Sequence, residues 1–313
     1  MFELPNKEDI VPHGIPQTPD DITEIVLKAM SHTRDERLRE ILTALVKHLH
    51  AFGREVKLSE EEFMAAINAV TRLGHLTRDR HNETMVMSDA LGFSTLVMIL
   101  NQERTPEQIS PALLGPFYSR KDPEYPLGFN ISRDTPKASD IPLFVSGRVT
   151  SRDGTPLPGA LVEVWHASPE GLYENQDDSQ PHLNLRGKFR TDAEGRYRFR
   201  TIRPASYPIP THGIVGEMLE AQSRHPFRAA HLHFTVSAEG HRTLVTQIFP
   251  KDDPFLESDC VFGVTSADLA MEFPIHDDGQ APDPDVRGRY CTLEVDFDLS
   301  PGVSRLPASP IDS

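Results

Sequence analysis

The sequence predicts a mainly β protein with an α-helical N-terminal domain, followed by an antiparallel β-sandwich that carries the chemistry. Three observations support this. Apolar residues recur at helical spacing through residues 21–103. From Pro106 onward prolines become frequent, and short runs of alternating polarity are separated by turn signals. No strand–helix–strand rhythm and no internal repeat interrupts that texture. The expected division is 1–105 for an N-terminal arm and helical domain, and 106–313 for the β-sandwich.

Residues 1–20 are polar and Pro-rich and read as an extended arm. Ile22, Ile25, Val26, Ala29 and Met30 then trace one helical face. Leu38, Ile41, Leu42, Leu45, Leu49 and Phe52 trace a second. Ser59 and Glu62 have capping-box spacing ahead of Phe63, Ile67, Val70 and Leu73. From about Thr84 to Leu100 the chain is apolar almost all round, which predicts one helix packed between other elements. In the second half, Leu143-Phe144-Val145, Leu161 to His166 and Arg196 to Arg200 read as strands, with Tyr197 and Phe199 inward. Tyr290 to Leu299 reads as one last strand with Cys291, Leu293, Val295, Phe297 and Leu299 on one face. Loops 118–141, 203–228 and 250–288 exceed what connection requires, and long loops on a rigid sheet carry function or contacts.

Lys and Arg total 32 against 47 Asp and Glu, a formal charge of −15. No basic tract follows a phosphate backbone, so nucleic-acid binding is not expected. Cys260 and Cys291 lie in no CxxC or CxxH spacing and form no disulfide framework, which points to a reducing compartment. The start MFELPNKEDI lacks a signal-peptide pattern, and no apolar run approaches a membrane span. A cytoplasmic protein is expected.

The stretch Arg228 to Gln247 holds the densest chemistry. It reads as two strands joined by the turn Ala238-Glu239-Gly240. Alternation puts His231, His233 and Thr235 on one face and Leu232, Phe234 and Val236 on the other. Two imidazoles so spaced can meet at one metal ion, although two hydrogen-bonded histidines give the same pattern. Tyr173 and Tyr207 each follow a strand. Taken singly, each also reads as a ring packed in a loop.

The order Tyr173, Tyr207, Arg228-x-x-His231-x-His233, Gln247 resembles the intradiol ring-cleaving dioxygenases, the catechol and hydroxyquinol 1,2-dioxygenases. The resemblance spans nearly the whole chain. It includes Leu113-Leu114-Gly115-Pro116-Phe117-Tyr118 and the hairpin Gly187 to Tyr197. It implies Fe(III) held by Tyr173, Tyr207, His231 and His233. Two hard phenolates with two imidazoles suit ferric iron better than zinc or copper. It implies that a diol displaces Tyr207, which then serves as a base, while Tyr173 stays. It makes Arg228 the group that stabilises developing negative charge and Gln247 a partner beside an iron ligand. It also implies O2 as co-substrate and a homodimer through the N-terminal helices, and some relatives hold a lipid in that interface. One departure is Ala229, where the family usually has proline.

Tyr207-Pro208-Ile209-Pro210, Val215 to Ala221 and Ser258 to Val264 resemble the hydroxyquinol branch. That branch implies a pocket of Val86, Asp89, Leu114, Gly115, Pro116, Phe117, Ile209, Pro210, Arg228 and Val261. Asp89 sits in an apolar segment. It either meets a third ring hydroxyl, or it or Ser88 caps a helix beginning at Ala90. Hydroxyquinol (benzene-1,2,4-triol) would give maleylacetate, and catechol would give cis,cis-muconate. Two other readings stay open. Val145 to Tyr207 also resembles non-catalytic sandwich modules, and His-x-His could hold zinc, although no HExxH-like carboxylate supports hydrolysis.

Overall fold

The computed structural model describes residues 12–78, 82–101, 108–134, 137, 140–277 and 280–310. The first eleven residues of the expected arm, and the boundary expected at 105/106, lie outside them. Two compact units result, Met1–Val70 and Thr71–Ser313.

In the first unit, α1 (Asp21–Met30) and α2 (Glu36–Glu55) are joined through Thr23, whose hydroxyl meets His50 Nδ1 at 3.0 Å and accepts from Arg54 Nη1 at 3.0 Å. Asp35 caps α2 by accepting from Leu38 N, which satisfies one of the donors a helix start leaves free. α3 (Glu60–Leu76) begins at the expected capping box, with Glu62 N donating to Ser59 Oγ and Ser59 N to Glu62 Oε2. Among the described residues of this unit the apolar face of α2 stays exposed: Leu38, Ile41, Leu45, Leu49 and Phe52 are 47–59% exposed.

The segment expected as one helix is two, α4 (Glu83–Ala90) and α5 (Phe93–Leu100), bent by 76°. Gly92 lies between them at φ +71°, a conformation that glycine adopts without the Cβ clash of other residues. α5 is not packed between other elements either, since Leu96, Ile99 and Leu100 are exposed. No single described helix is long and apolar enough to cross a membrane.

The second unit is built on two five-stranded sheets. β1 (Pro142–Ser151), β2 (Leu161–Trp165), β3 (Arg186–Arg190) and β4 (Arg196–Ile202) come first. The ribbon strands β5 (Tyr207–Pro208) and β6 (Phe227–Arg228) flank α6 (Ile214–Ala221). Then follow β7 (Leu232–Ser237), β8 (Leu244–Pro250), β9 (Ala270–Met271), β10 (Ile275–His276), β11 (Tyr290–Glu294) and β12 (Phe297–Leu299). One sheet runs β10-β11-β1-β12, with β4 also on β1, and the other runs β3-β2-β7-β8-β9. Most pairs are antiparallel, but β11 and β12 pair with β1 in parallel, and β9 with β8.

The expected last strand is therefore broken in two, although all five of its alternate residues are buried. The break has a local cause. Val295 O turns toward Gly147, where a Cβ would lie 1.8 Å from it, and accepts from Tyr197 Oη at 2.7 Å. Between the sheets lies one apolar core, in which Phe199 stacks on Phe189 at 5.0 Å and Phe234 meets Phe297 at 5.2 Å. Leu232, Phe234 and Val236 face into that core as alternation predicted. The histidine face of β7 is buried as well, so this strand is central.

Candidate metal centre and substrate cavity

Strand register brings the site together. His233 lies opposite Gln247 on β8 and Trp165 on β2. The indole stacks flat on the imidazole, centroids 4.8 Å apart and planes 6° apart. On the ribbon Tyr207 lies opposite Arg228. Tyr173 follows β2 and opens a short 3-10 helix, its backbone N–H donating to Gln176 Oε1 at 3.0 Å. Four side chains from three segments thus converge. The Tyr173 and Tyr207 phenol oxygens are 3.3 Å apart, and His231 Nε2 and His233 Nε2 are 3.1 Å apart.

The local bonds prepare these groups for a cation. His231 Nδ1 can only donate to Ala229 O, at 2.7 Å, so its Nε2 keeps the lone pair. His233 Nδ1 is buried with no hydrogen-bond partner among the described residues. Burial first, then the Arg228 charge, holds His231 down at about 3, and burial with His231 holds His233 well below the imidazole range. Both rings are therefore neutral donors at physiological pH. Burial pushes both phenols up, Tyr173 well above its usual range, with Tyr207 adding to it. A multivalent cation reverses that penalty by taking the phenolate oxygens as ligands. Two phenols and two neutral imidazoles therefore fit ferric iron. His166 stays outside the group, since its two ring nitrogens bond Ala167 O and Thr201 Oγ1.

Arg228 is buried beside these rings. Its Nη1 is 3.3 Å from His231 Nε2, and its Nη2 donates to Gln247 Oε1 at 3.1 Å. Gln247 Nε2 in turn donates to Leu113 O at 2.6 Å. Gln247 thus links Arg228 to the Leu113 backbone in the cavity wall.

A cavity of about 500 Å³ opens onto Tyr207 and Arg228. Val86, Asp89, Gly115, Pro116, Phe117, Ile209, Pro210 and Val261 all line it. Leu114 does not: Leu113 takes its place, and Leu114 packs instead near Tyr173 and Trp165. Asp89 caps no helix, because α4 ends at Ala90, Asn82 caps its start and α5 starts from Gly92. Its carboxyl is buried in the cavity wall. Burial raises its pKa against the opposing bond from Ser94 and the Arg228 charge.

Sequence reading missed two supports of this site. Asp259 accepts from both Arg228 Nε and Ala229 N. Burial alone would raise its carboxyl; Arg228 and the Gly263 and Val261 N–H groups outweigh this and hold it below the usual range. Arg186, 1% exposed, donates to Phe117 O at 2.6 Å and to Glu174 at 2.9 Å, tying the cavity wall to the residue after Tyr173. A charge buried this completely is tolerated because several acceptors share it.

Beside Arg186, Asp122 gives a pH-dependent prediction. Burial raises its carboxyl to about 7, outweighing Arg186 and Lys188. The folded protein therefore keeps this proton where the unfolded chain has lost it. That contribution is complete below about pH 4 and disappears as pH rises through 7. Asp122→Asn is accordingly expected to gain about 2–3 kcal/mol relative to the parent between pH 5 and pH 8. Urea unfolding at both values measures it, and a difference independent of pH contradicts it.

Comparison with known proteins agrees with this geometry. A family profile described as "Dioxygenase" matches residues 114–299, and one described as "Catechol dioxygenase N terminus" matches residues 35–108. Hydroxyquinol 1,2-dioxygenase of Rhizobium sp. (strain MTP-10005) is 41% identical over 279 residues, 88% of this chain and 94% of that protein. Catechol 1,2-dioxygenase of Candida albicans is 37% identical over 280 residues, 89% of this chain and 90% of that protein. The crystal structure of hydroxyquinol 1,2-dioxygenase from Pseudomonas putida DLL-E4 superposes with a TM-score of 0.83 at 34% identity, covering 91% of this chain and 99% of that one. With family profiles matching both halves of the chain and relatives aligned over most of its length, this protein belongs to the intradiol ring-cleavage dioxygenases.

Proposed function

We propose that the enzyme cleaves hydroxyquinol with O2 between its two vicinal hydroxyl-bearing carbons, giving maleylacetate in the breakdown of aromatic compounds. Tyr173, Tyr207, His231 and His233 hold the ferric iron. The observation that carries the substrate choice is Asp89, a buried carboxyl in a cavity wall that is otherwise largely apolar. A third ring hydroxyl gives that carboxyl a partner on the cavity side in addition to Ser94, whereas catechol presents it only an apolar ring edge.

The protein's own part is orientation and charge. Ile209, Pro210, Val261 and Phe117 confine a flat ring and exclude water. Tyr207 takes up one substrate proton at its phenol oxygen. Arg228 presents a fixed positive charge where negative charge builds on the cleaved ring. Ferric iron held by Tyr173, Tyr207, His231 and His233 would supply Lewis-acid activation of the bound diol toward dioxygen.

Asp89→Ala is expected to lower kcat/KM for hydroxyquinol about 10–100-fold while changing that for catechol less than about threefold, the cost of one lost charge-assisted hydrogen bond. Steady-state oxygen uptake on both diols measures this. Equal losses return Asp89 to a structural role and favour the second reading, a catechol 1,2-dioxygenase giving cis,cis-muconate.

The uncovered apolar face of α2 supports a homodimer through the N-terminal helices, with residues 1–105 as the dimerising region. Two free, buried cysteines support a reducing, cytoplasmic location.

A further inference from the structure

We propose that Asp259 is the positioning residue for Arg228, and that the backbone N–H of Ala229 is part of the same device. This rests on the reading that Arg228 stabilises charge on the substrate. The Asp259 carboxylate takes four donors, two on each oxygen. Oδ2 accepts from Arg228 Nε at 3.3 Å and Ala229 N at 3.0 Å. Oδ1 accepts from Val261 N at 3.0 Å and Gly263 N at 3.1 Å. One oxygen therefore grips the segment that leads into His231, and the other grips a loop of the cavity wall.

The loop is shaped around the guanidinium. A Cβ on Gly263 would lie 2.2 Å from Arg228 Nη2, so no larger residue fits there without moving the arginine. With Nε on Asp259 and Nη2 on Gln247, the guanidinium is held through two of its three nitrogens, and Nη1 lies 3.3 Å from His231 Nε2. An arginine on a flexible stem serves a developing charge best when its orientation is settled beforehand. Val261 is one of the two loop donors and itself lines the cavity, so one carboxylate sets both the charge and the wall that faces the ring.

Ala229 gives the departure from the family pattern a physical content. A proline at 229 has no N–H to offer Oδ2. This chain uses that N–H as a second donor on the oxygen that holds Arg228 Nε.

An asparagine has the same shape but one acceptor oxygen for four donors, so either the arginine side or the loop side loses its partners. The test is a double-mutant cycle on the iron-loaded enzyme with Asp259→Asn, Arg228→Met and both, plus Ala229→Pro alone and combined with Asp259→Asn. Asp259→Asn is expected to lower kcat about 10–100-fold with KM within about threefold, the size of a misplaced oxyanion donor. Iron content and the visible band of the resting enzyme stay unchanged. In the Arg228→Met background the same change lowers kcat no further, and Ala229→Pro lowers it only where Asp259 is present. Multiplying losses in the double variants, or a loss confined to KM, overturns the proposal and leaves Asp259 a loop-shaping residue. Urea unfolding of the same cycle reads the pair without turnover. The three backbone donors on Asp259 remain in both backgrounds, so Asp259→Asn is expected to destabilise the parent more than the Arg228→Met variant, and additive effects overturn the pairing. If the parent takes up no oxygen on any diol, the functional reading fails, while the unfolding cycle still decides whether Asp259 holds Arg228.

Discussion

Tyr207→Phe is expected to bleach part of the visible band of the ferric protein and to lower kcat about 10²–10⁴-fold, the range for losing a positioned base. The substitution removes one oxygen and leaves the ring. That ring packs with Phe117, Trp165 and Tyr173 in a compact aromatic group, so the fold is expected to survive. What disappears is the oxygen 3.3 Å from the Tyr173 phenol, and with it one of the two anionic donors of the proposed set. The band arises from charge transfer between phenolate and iron, so its partial loss reports ligation directly. Circular dichroism controls for folding, and an unchanged visible spectrum contradicts the ligand assignment.

Gly171→Ala is expected to be nearly as damaging without touching a ligand. Gly171 has φ +82°, and a Cβ there would lie 2.4 Å from Tyr207 Cβ and 3.5 Å from its Cα. The collision falls on the root of the side chain, where no rotamer change relieves it, so the ribbon carrying Tyr207 must shift. Gly154 supplies the control, because it shares φ +82° and has nothing within 4 Å. Gly154→Ala is expected to cost about 1–2 kcal/mol from backbone strain alone. Gly171→Ala is expected to cost about 2–4 kcal/mol and to lower iron retention as well. Equal unfolding midpoints and equal iron content in the two variants contradict the collision account.

The extent to which the sequence was legible follows from what each signal encodes. Alternation on residues 231–236 is local, and it correctly separated the core-facing residues from the histidine face. Capping chemistry is equally local, and Ser59 with Glu62 starts α3 as expected. The order of two tyrosines, arginine, two histidines and glutamine could be matched to a family because catalysis constrains residue type at each position. Gly92 was visible inside the apolar run yet did not separate α4 from α5, since one glycine is tolerated in a helix until tertiary context bends the chain. The choice between Leu113 and Leu114 depended on a backbone direction that two adjacent leucines do not encode. Asp259 and Arg186 reach the site across 31 and 69 residues of sequence, and only the strand and loop arrangement reveals their partners. The apolar face of α2 is plain in the sequence, but periodicity alone does not say whether such a face is covered within one chain or by another.

The competing readings now differ in weight. A non-catalytic sandwich module explains the hairpins but leaves four buried donors converging without purpose. Zinc hydrolysis leaves two buried phenols as donors and supplies no base of the expected kind. Membership of the ring-cleaving family removes both, and what remains open is the diol.

That question is decided by oxygen uptake of the iron-loaded enzyme on hydroxyquinol, with the product identified by its ultraviolet spectrum. The account predicts one O2 consumed per hydroxyquinol, maleylacetate as product, and a higher kcat/KM than on catechol. Turnover of catechol to cis,cis-muconate at a higher kcat/KM than any turnover of hydroxyquinol would contradict it.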